Sequence, residues 1–169
     1  IFLFFLPPVR SIDAAEFSCP AGNVPCLISS IETANLLPGA HAILLDPGIY
    51  TLPASLRTPT DPSVADAVNG LPSIKSSVRI EAISETDPTV IERDDNAAEF
   101  FRIFHVSLGG ELFLNGITLR RGRSGPFMGP AIFNRGVTSL QNSVVTEATG
   151  EAGAIHNRGI LNISRTTIV

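Results

Sequence analysis

Pro130-Ala-Ile-Phe-Asn-Arg-Gly136 and Gly153-Ala-Ile-His-Asn-Arg-Gly159 are two copies of one motif, with five of seven positions identical at an offset of 23 residues. The likeness continues past the glycine. Gly110 is followed by ELFLNGITL, Gly136 by VTSLQNSVV and Gly159 by ILNISRTTI. Set beneath one another, Leu112, Thr138 and Leu161 share a column, and Leu114, Leu140 and Ile163 share a second. Leu119, Val145 and Ile168 form a third. Alternation within a segment is the period of a β-strand. Like over like between segments, about every 23 to 26 residues, is the period of a stacked repeat.

A single segment of this length cannot bury its own apolar face. Stacking solves that: each strand pairs with its counterpart one repeat on, about 4.8 Å away, and equivalent side chains form ladders inside. Parallel neighbours joined by crossovers make the coil right-handed. The expectation is an all-β chain, a right-handed parallel β-helix (a solenoid), with 111–119, 137–145 and 160–168 as parallel strands in one sheet. Asn134 and Asn157 take one corner position, where Asn tolerates left-handed backbone and its amide can bond to the next Asn. Gly136 and Gly159 are expected to allow the turn that follows.

Upstream, Leu27, Ile28, Ile31, Ala34 and Leu37 fall three or four apart and draw one helical stripe over Pro25 to Leu37. Asn23 suits its N-cap, Pro25 its first turn, and Pro38-Gly39 stops it. This α-helix is expected to cap the N-terminal end of the stack, because an open end leaves backbone and apolar side chains bare. Strands are expected at His41 to Leu45 and Ile49 to Leu52, around the turn Asp46-Pro47-Gly48. More follow at Ser77 to Ala82, Thr89 to Glu92 and Phe100 to Val106. Residues 53–76 show no period and read as a surface excursion.

The opening residues read as an address. IFLFFL (Ile1 to Leu6), then Pro7-Pro8 and small residues up to Ala15, has the form of the remnant of an export signal. The run is far shorter than the roughly 20 apolar residues of a transmembrane helix. Cys19 and Cys26, spaced C-x6-C, suit a disulfide beside such a signal, the alternative being two free buried thiols. The spacing is wrong for CxxC redox chemistry, and two cysteines without a nearby His do not make a zinc site. The divisions are therefore 1–15 export remnant, 16–52 N-terminal cap, 53–76 excursion and 77–169 coils. Further coils are expected beyond Val169, and a fragment ending there should self-associate through its bare last layer.

Composition agrees with short strands and tight corners: 14 Gly, 13 Pro, no Trp and 17% charged residues. A net charge of −4 argues against a nucleic-acid partner, since binding phosphate backbones rests on clustered Lys and Arg, and only one lysine, Lys75, is present.

The motifs now have a likeness. C-x6-C before LISSIETAN, strand-DPG-strand, NGLPSIKSSVRIEA, TVIER, FRIFHV, GELFLNGITLRRG and the repeated G-A-I-x-N-x-G span 16–169. Together they resemble bacterial secreted or cell-surface right-handed β-helix proteins with polymorphic outer-membrane-protein-like repeats, of pectin-lyase-like fold. Pro130 departs from the repeat, which has Gly there. The resemblance implies an extracellular or cell-surface location, often with a C-terminal anchoring or sorting domain, and no particular activity.

Chemistry is sparse. No catalytic, cofactor or metal constellation is read, and G-x-S-x-G, H-E-x-x-H and phosphate-loop motifs are absent. Arg135 and Arg158 recur in successive repeats beside His156, a candidate strip for an anionic sugar, although solvated corners would look the same. Glu92, Arg93, Asp94 and Asp95 form the densest charge cluster, whose adjacent aspartates read as a solvated turn; Arg120-Arg121-Gly122-Arg123 reads as a solvated basic corner, and His41 and His105 as packed histidines. The expectation is an exported structural or adhesive surface protein whose partners are extracellular glycans or other surface proteins. The alternatives are a polysaccharide lyase or hydrolase, or a carbohydrate-binding module, on the same fold.

Overall fold

The computed structural model describes residues 14–56, 68–125, 128–151 and 153–169. Most of the expected export remnant therefore lies outside the described residues. The chain enters through β1 (Glu16–Cys19), α1 (Val24–Leu36), β2 (Ala40–Leu45) and β3 (Gly48–Leu52). Next come β4 (Ser77–Ala82), β5 (Thr89–Arg93), β6 (Phe104–Val106), β7 (Glu111–Asn115), β8 (Ile117–Arg120) and β9 (Arg123–Gly125). Then follow β10 (Ile132–Asn134), β11 (Val137–Gln141), β12 (Val144–Thr146) and β13 (Thr149–Gly150). Last are β14 (Ile155–Asn157), β15 (Ile160–Ser164) and β16 (Thr167–Ile168). The described residues are all-β apart from one helix, and every pairing between these strands is parallel.

Three sheets are built the same way. The first runs β1-β2-β4-β7-β11-β15, the second β3-β5-β8-β12-β16 and the third β6-β10-β14; β9 and β13 form a short pair of their own. β4, β5 and β6, then β7, β8 and β10, then β11, β12 and β14 each give one strand to the three sheets in turn, each group lying alongside the one before. The columns seen in the sequence are real register: Leu112, Thr138 and Leu161 are partners, as are Leu114, Leu140 and Ile163. The second column continues back through Ile80 to Ile43. Ile43, Ile80, Leu114 and Leu140 are buried, and burial of one such side chain is worth about 1.5–3 kcal/mol.

One expectation needs correction. The segments 111–119, 137–145 and 160–168 are each two strands in two sheets, bent between β7 and β8, β11 and β12, and β15 and β16. The bend sits at Gly116, Asn142 and Arg165, all at positive φ (70°, 48° and 47°). Glycine takes that backbone freely and Asn tolerates it. Asn142 Nδ2 also donates to Asn115 Oδ1, 2.9 Å away, tying one corner to the next.

A second correction concerns the other corner. Asn134 and Asn157 are not left-handed; they end the extended strands β10 and β14. Gly136 and Gly159 are not at positive φ either. They are glycines for lack of space: a Cβ on Gly136 would lie 2.1 Å from the carbonyl oxygen of Gly110, and one on Gly159 2.1 Å from that of Gly136.

α1 begins one residue earlier than its stripe suggests. Asn23 caps it, its Oδ1 accepting from the Cys26 N–H at 3.0 Å, and Pro25 falls in the first turn. Leu27, Ile31 and Ala34 are fully buried against the core. Beyond them, Asn35 donates to the Ser73 carbonyl and accepts from the Lys75 N–H, so the helix is pinned to the chain that enters β4. Cys19 and Cys26 form a disulfide, which ties β1 to the first turn of α1. Within 53–76, residues 57–67 lie outside the described residues. Asn69, Leu71, Ser73 and Ile74 are buried rather than on the surface, because this stretch runs beside Arg102 and Val106 and extends the third sheet's side. No helix among the described residues is long and apolar enough to cross a membrane.

Candidate functional site

The third sheet carries the densest unusual chemistry. In β6 and β10, Phe104, Val106, Ile132 and Asn134 alternate with His105 and Phe133. Register then lines up His105, Phe133 and His156 across three repeats. Parallel pairing makes the rings neighbours: the centroids of His105 and Phe133 are 5.7 Å apart, and those of Phe133 and His156 are 5.2 Å apart and stacked. Ser73 Oγ and His105 Nδ1 share a hydrogen bond of 2.8 Å at the buried end.

Two cations lie against the middle ring. The guanidinium of Arg102 is 4.7 Å and that of Arg158 5.7 Å from the Phe133 centroid, within cation–π range. Arg102 precedes a bend at Ile103 and is only 2% exposed. Its Nε and Nη1 have no hydrogen-bond partner. Burial pulls its pKa down to about 10, which still leaves it charged near neutral pH. His156 feels the same surroundings: burial first, then the charges of Arg158 and Arg102, lower its pKa. Arg158 Nε donates to His156 Nε2 at 3.2 Å, which requires a neutral acceptor imidazole.

The cluster therefore concentrates positive charge beside flat rings, with one guanidinium buried and the other, on Arg158, exposed. Such an arrangement suits a planar anion, since desolvated charge is costly unless it is paired. Of the residues singled out from sequence, His156 and Arg158 come together. Arg135 follows Asn134 as Arg158 follows Asn157, one repeat earlier. The sequence reading passed over Arg102 and Phe133. The cue was a charged residue inside the apolar run Phe100 to Val106.

Elsewhere the charges are structural. Glu92 and Arg93 are buried, while Asp95 beyond them is exposed. Glu92 receives Arg120 at 2.6 Å and Arg121 at 3.3 Å, and Arg121 also meets Asp95 and Glu147. The basic corner is thus a clasp between repeats rather than a free patch. Arg93 donates to the carbonyls of Ala97 and Glu99. His41 is buried, accepts from the Ala15 N–H through Nδ1 and lies 3.4 Å from the Leu37 carbonyl through Nε2. Among the described residues, no group of three or more His, Cys, Asp or Glu gathers to hold a metal ion. No protein-family model, curated protein or solved structure matches this chain.

Proposed function

We propose that this chain belongs to an exported right-handed parallel β-helix of the bacterial cell surface, pectin-lyase-like in architecture, whose role is structural or adhesive. The observation that carries this reading is the unbroken register of the first sheet, six parallel strands each paired with its counterpart in the next repeat. A stack of this kind is stiff along its axis and repeats the same side chains at a fixed spacing, which suits a stalk or an extended contact face. The Cys19–Cys26 bridge supports an oxidising compartment. Extracellular glycans or other surface proteins are the partners such a face would meet.

Surface labelling tests it. Lys75 is exposed and is the only lysine. A membrane-impermeant amine reagent applied to intact cells should mark the protein, and beads coated with it should adhere to those cells. Labelling that appears only after lysis would refute the location, and beads that behave like uncoated ones would refute adhesion. The polysaccharide-binding alternative is favoured by one observation, the Arg102–Phe133–Arg158 cluster, which places cations against an aromatic ring.

A further inference from the structure

We propose that Arg102, Arg158 and the stacked Phe133–His156 pair form a recognition site for a carboxylate, held between the buried and the exposed guanidinium. The inference rests on the reading of this chain as one that presents a contact face, and it names the chemistry of what that face holds.

Three observations carry it. Arg102 is the first: a guanidinium 2% exposed whose Nε and Nη1 meet no acceptor. Other arginines among the described residues that reach toward the core have acceptors. Arg120 and Arg121 reach Glu92, and Arg93 reaches two backbone carbonyls. Among the described residues, no carboxylate forms an ion pair with Arg102. A cation in that position lacks the acceptor that buried charges ordinarily have.

The second observation is a shared ring. Arg102 and Arg158 lie against the same ring, the one buried and the other exposed. An anion that engaged Arg158 and His156 would stand beside the ring that Arg102 also lies against. Arginine forks match the planar oxygens of a carboxylate, and its delocalised charge loses less on desolvation than an ammonium. The third is His156, whose Nε2 accepts from Arg158. A carboxylate that engaged Arg158 would weaken that bond and offset the two positive charges, so His156 would take up a proton more readily. The bound anion thereby has a reporter inside the site.

Carboxylates come from two sources, a free small acid or the uronate units of an acidic polysaccharide, and the experiment separates them. The imidazole resonances of His156 are followed by NMR as pH is varied, with acetate, a uronic acid oligomer, a neutral oligosaccharide or chloride at matched ionic strength. Expected is an upward shift of the His156 titration with the carboxylates and not with chloride or the neutral sugar. Affinity should fall about tenfold in Arg158→Gln, an exposed change that leaves the core alone, as loss of a charge-assisted contact implies. Arg102→Gln should abolish the shift; should that variant fail to fold, Arg158→Gln and the wild-type titration still decide. Binding of the uronic acid oligomer well above that of acetate assigns the site to polysaccharide, and equal binding assigns it to small carboxylates; both support a carboxylate site. A His156 titration indifferent to every carboxylate, or unchanged affinity in Arg158→Gln, overturns it. That outcome leaves surface exposure and adhesion untouched, because those are read on intact cells.

Discussion

Asn134 donates through Nδ2 to Oδ1 of Asn157, 2.7 Å away and one repeat further on. The same Nδ2 reaches the Ile160 carbonyl at 2.8 Å, and Asn134 Oδ1 accepts from the Gly136 N–H at 3.1 Å. Asn134 is fully buried, so its amide satisfies backbone groups that water cannot reach. Asn157 repeats the local bonds at the exposed end, its Oδ1 accepting from the Gly159 N–H at 3.2 Å. Replacing Asn134 by Leu should cost about 1–3 kcal/mol by orphaning those groups. Asn157→Leu should cost clearly less. Urea midpoints of the two variants check the order, and equal losses would show that burial of the ladder does not matter.

Glycine at 136 is a matter of space. A Cβ there would sit 2.1 Å from the Gly110 carbonyl oxygen and 2.6 Å from that of Ser107, and both neighbours are backbone. Gly136→Ala must therefore push two repeats apart locally, and a loss of about 1–3 kcal/mol, the usual cost of overpacking, is expected. Gly109→Ala meets nothing within 4 Å and carries only the strain of a φ of 83°. Thermal melts of the pair settle the matter: if Gly136→Ala melts no lower than Gly109→Ala, close approach is not the reason for the glycine.

How much of this could be read from sequence follows from the same residues. Stacking was legible because Leu114, Leu140 and Ile163 recur at nearly constant spacing and face the same core. The bend at Gly116 was missed although it left a trace: Leu112 and Leu114 are buried, and then Ile117 and Leu119 are, so the alternation skips a beat. The ring cluster was hidden for a different reason. His105, Phe133 and His156 lie in three repeats of unequal length, with the segment after β9 inserted between two of them. No fixed offset aligns them. Burial of Glu92 was also illegible, since its partners Arg120 and Arg121 arrive from the next repeat.

The Cys19–Cys26 bridge joins β1 to α1, the two elements that begin the stack. Closing so short a loop is expected to contribute about 2–4 kcal/mol, chiefly by restricting the unfolded chain. Reduction, or Cys26→Ser, should lower the melting temperature and loosen the helix before the later repeats. Thiol labelling of the unreduced protein should find neither cysteine reactive. Two reactive thiols, or an unchanged melt after reduction, would contradict the staple.

Stability should depend on pH through His156. Its folded pKa lies below the ordinary value of 6.5, because burial and then the charges of Arg158 and Arg102 disfavour the imidazolium. The unfolded chain therefore binds the proton more readily. The contribution is fully present above about 6.5 and is lost as pH falls through that value toward the lower folded one. His156→Gln removes this slope while His41 and His105 remain. The comparison to make is melting temperature against pH for both proteins, and parallel curves would sink the assignment.

Self-association is the last expectation, and it follows from the edge that β15 and β16 present. In the first sheet β15 pairs with β11 on one side only, and in the second β16 pairs with β12 alone. The layer is apolar as well as unpaired. Ile160 is 59% exposed, Ile163 48% and Ile168 42%, although their counterparts Leu140 and Val145 one repeat earlier are buried. Parallel strands with free N–H and C=O groups are a template for another copy, and apolar side chains beside them add a driving force. Charge is the usual deterrent at such an edge, and Arg165 stands at the bend between β15 and β16 rather than within either strand. A polypeptide of residues 1–169 by itself is therefore expected to associate in solution as its concentration rises. Ile163→Lys should weaken that association by placing a charge on the open layer without touching the repeats behind it. Light scattering over a wide concentration range reads both proteins. A wild-type chain that stays monomeric throughout would mean that this layer is not sticky.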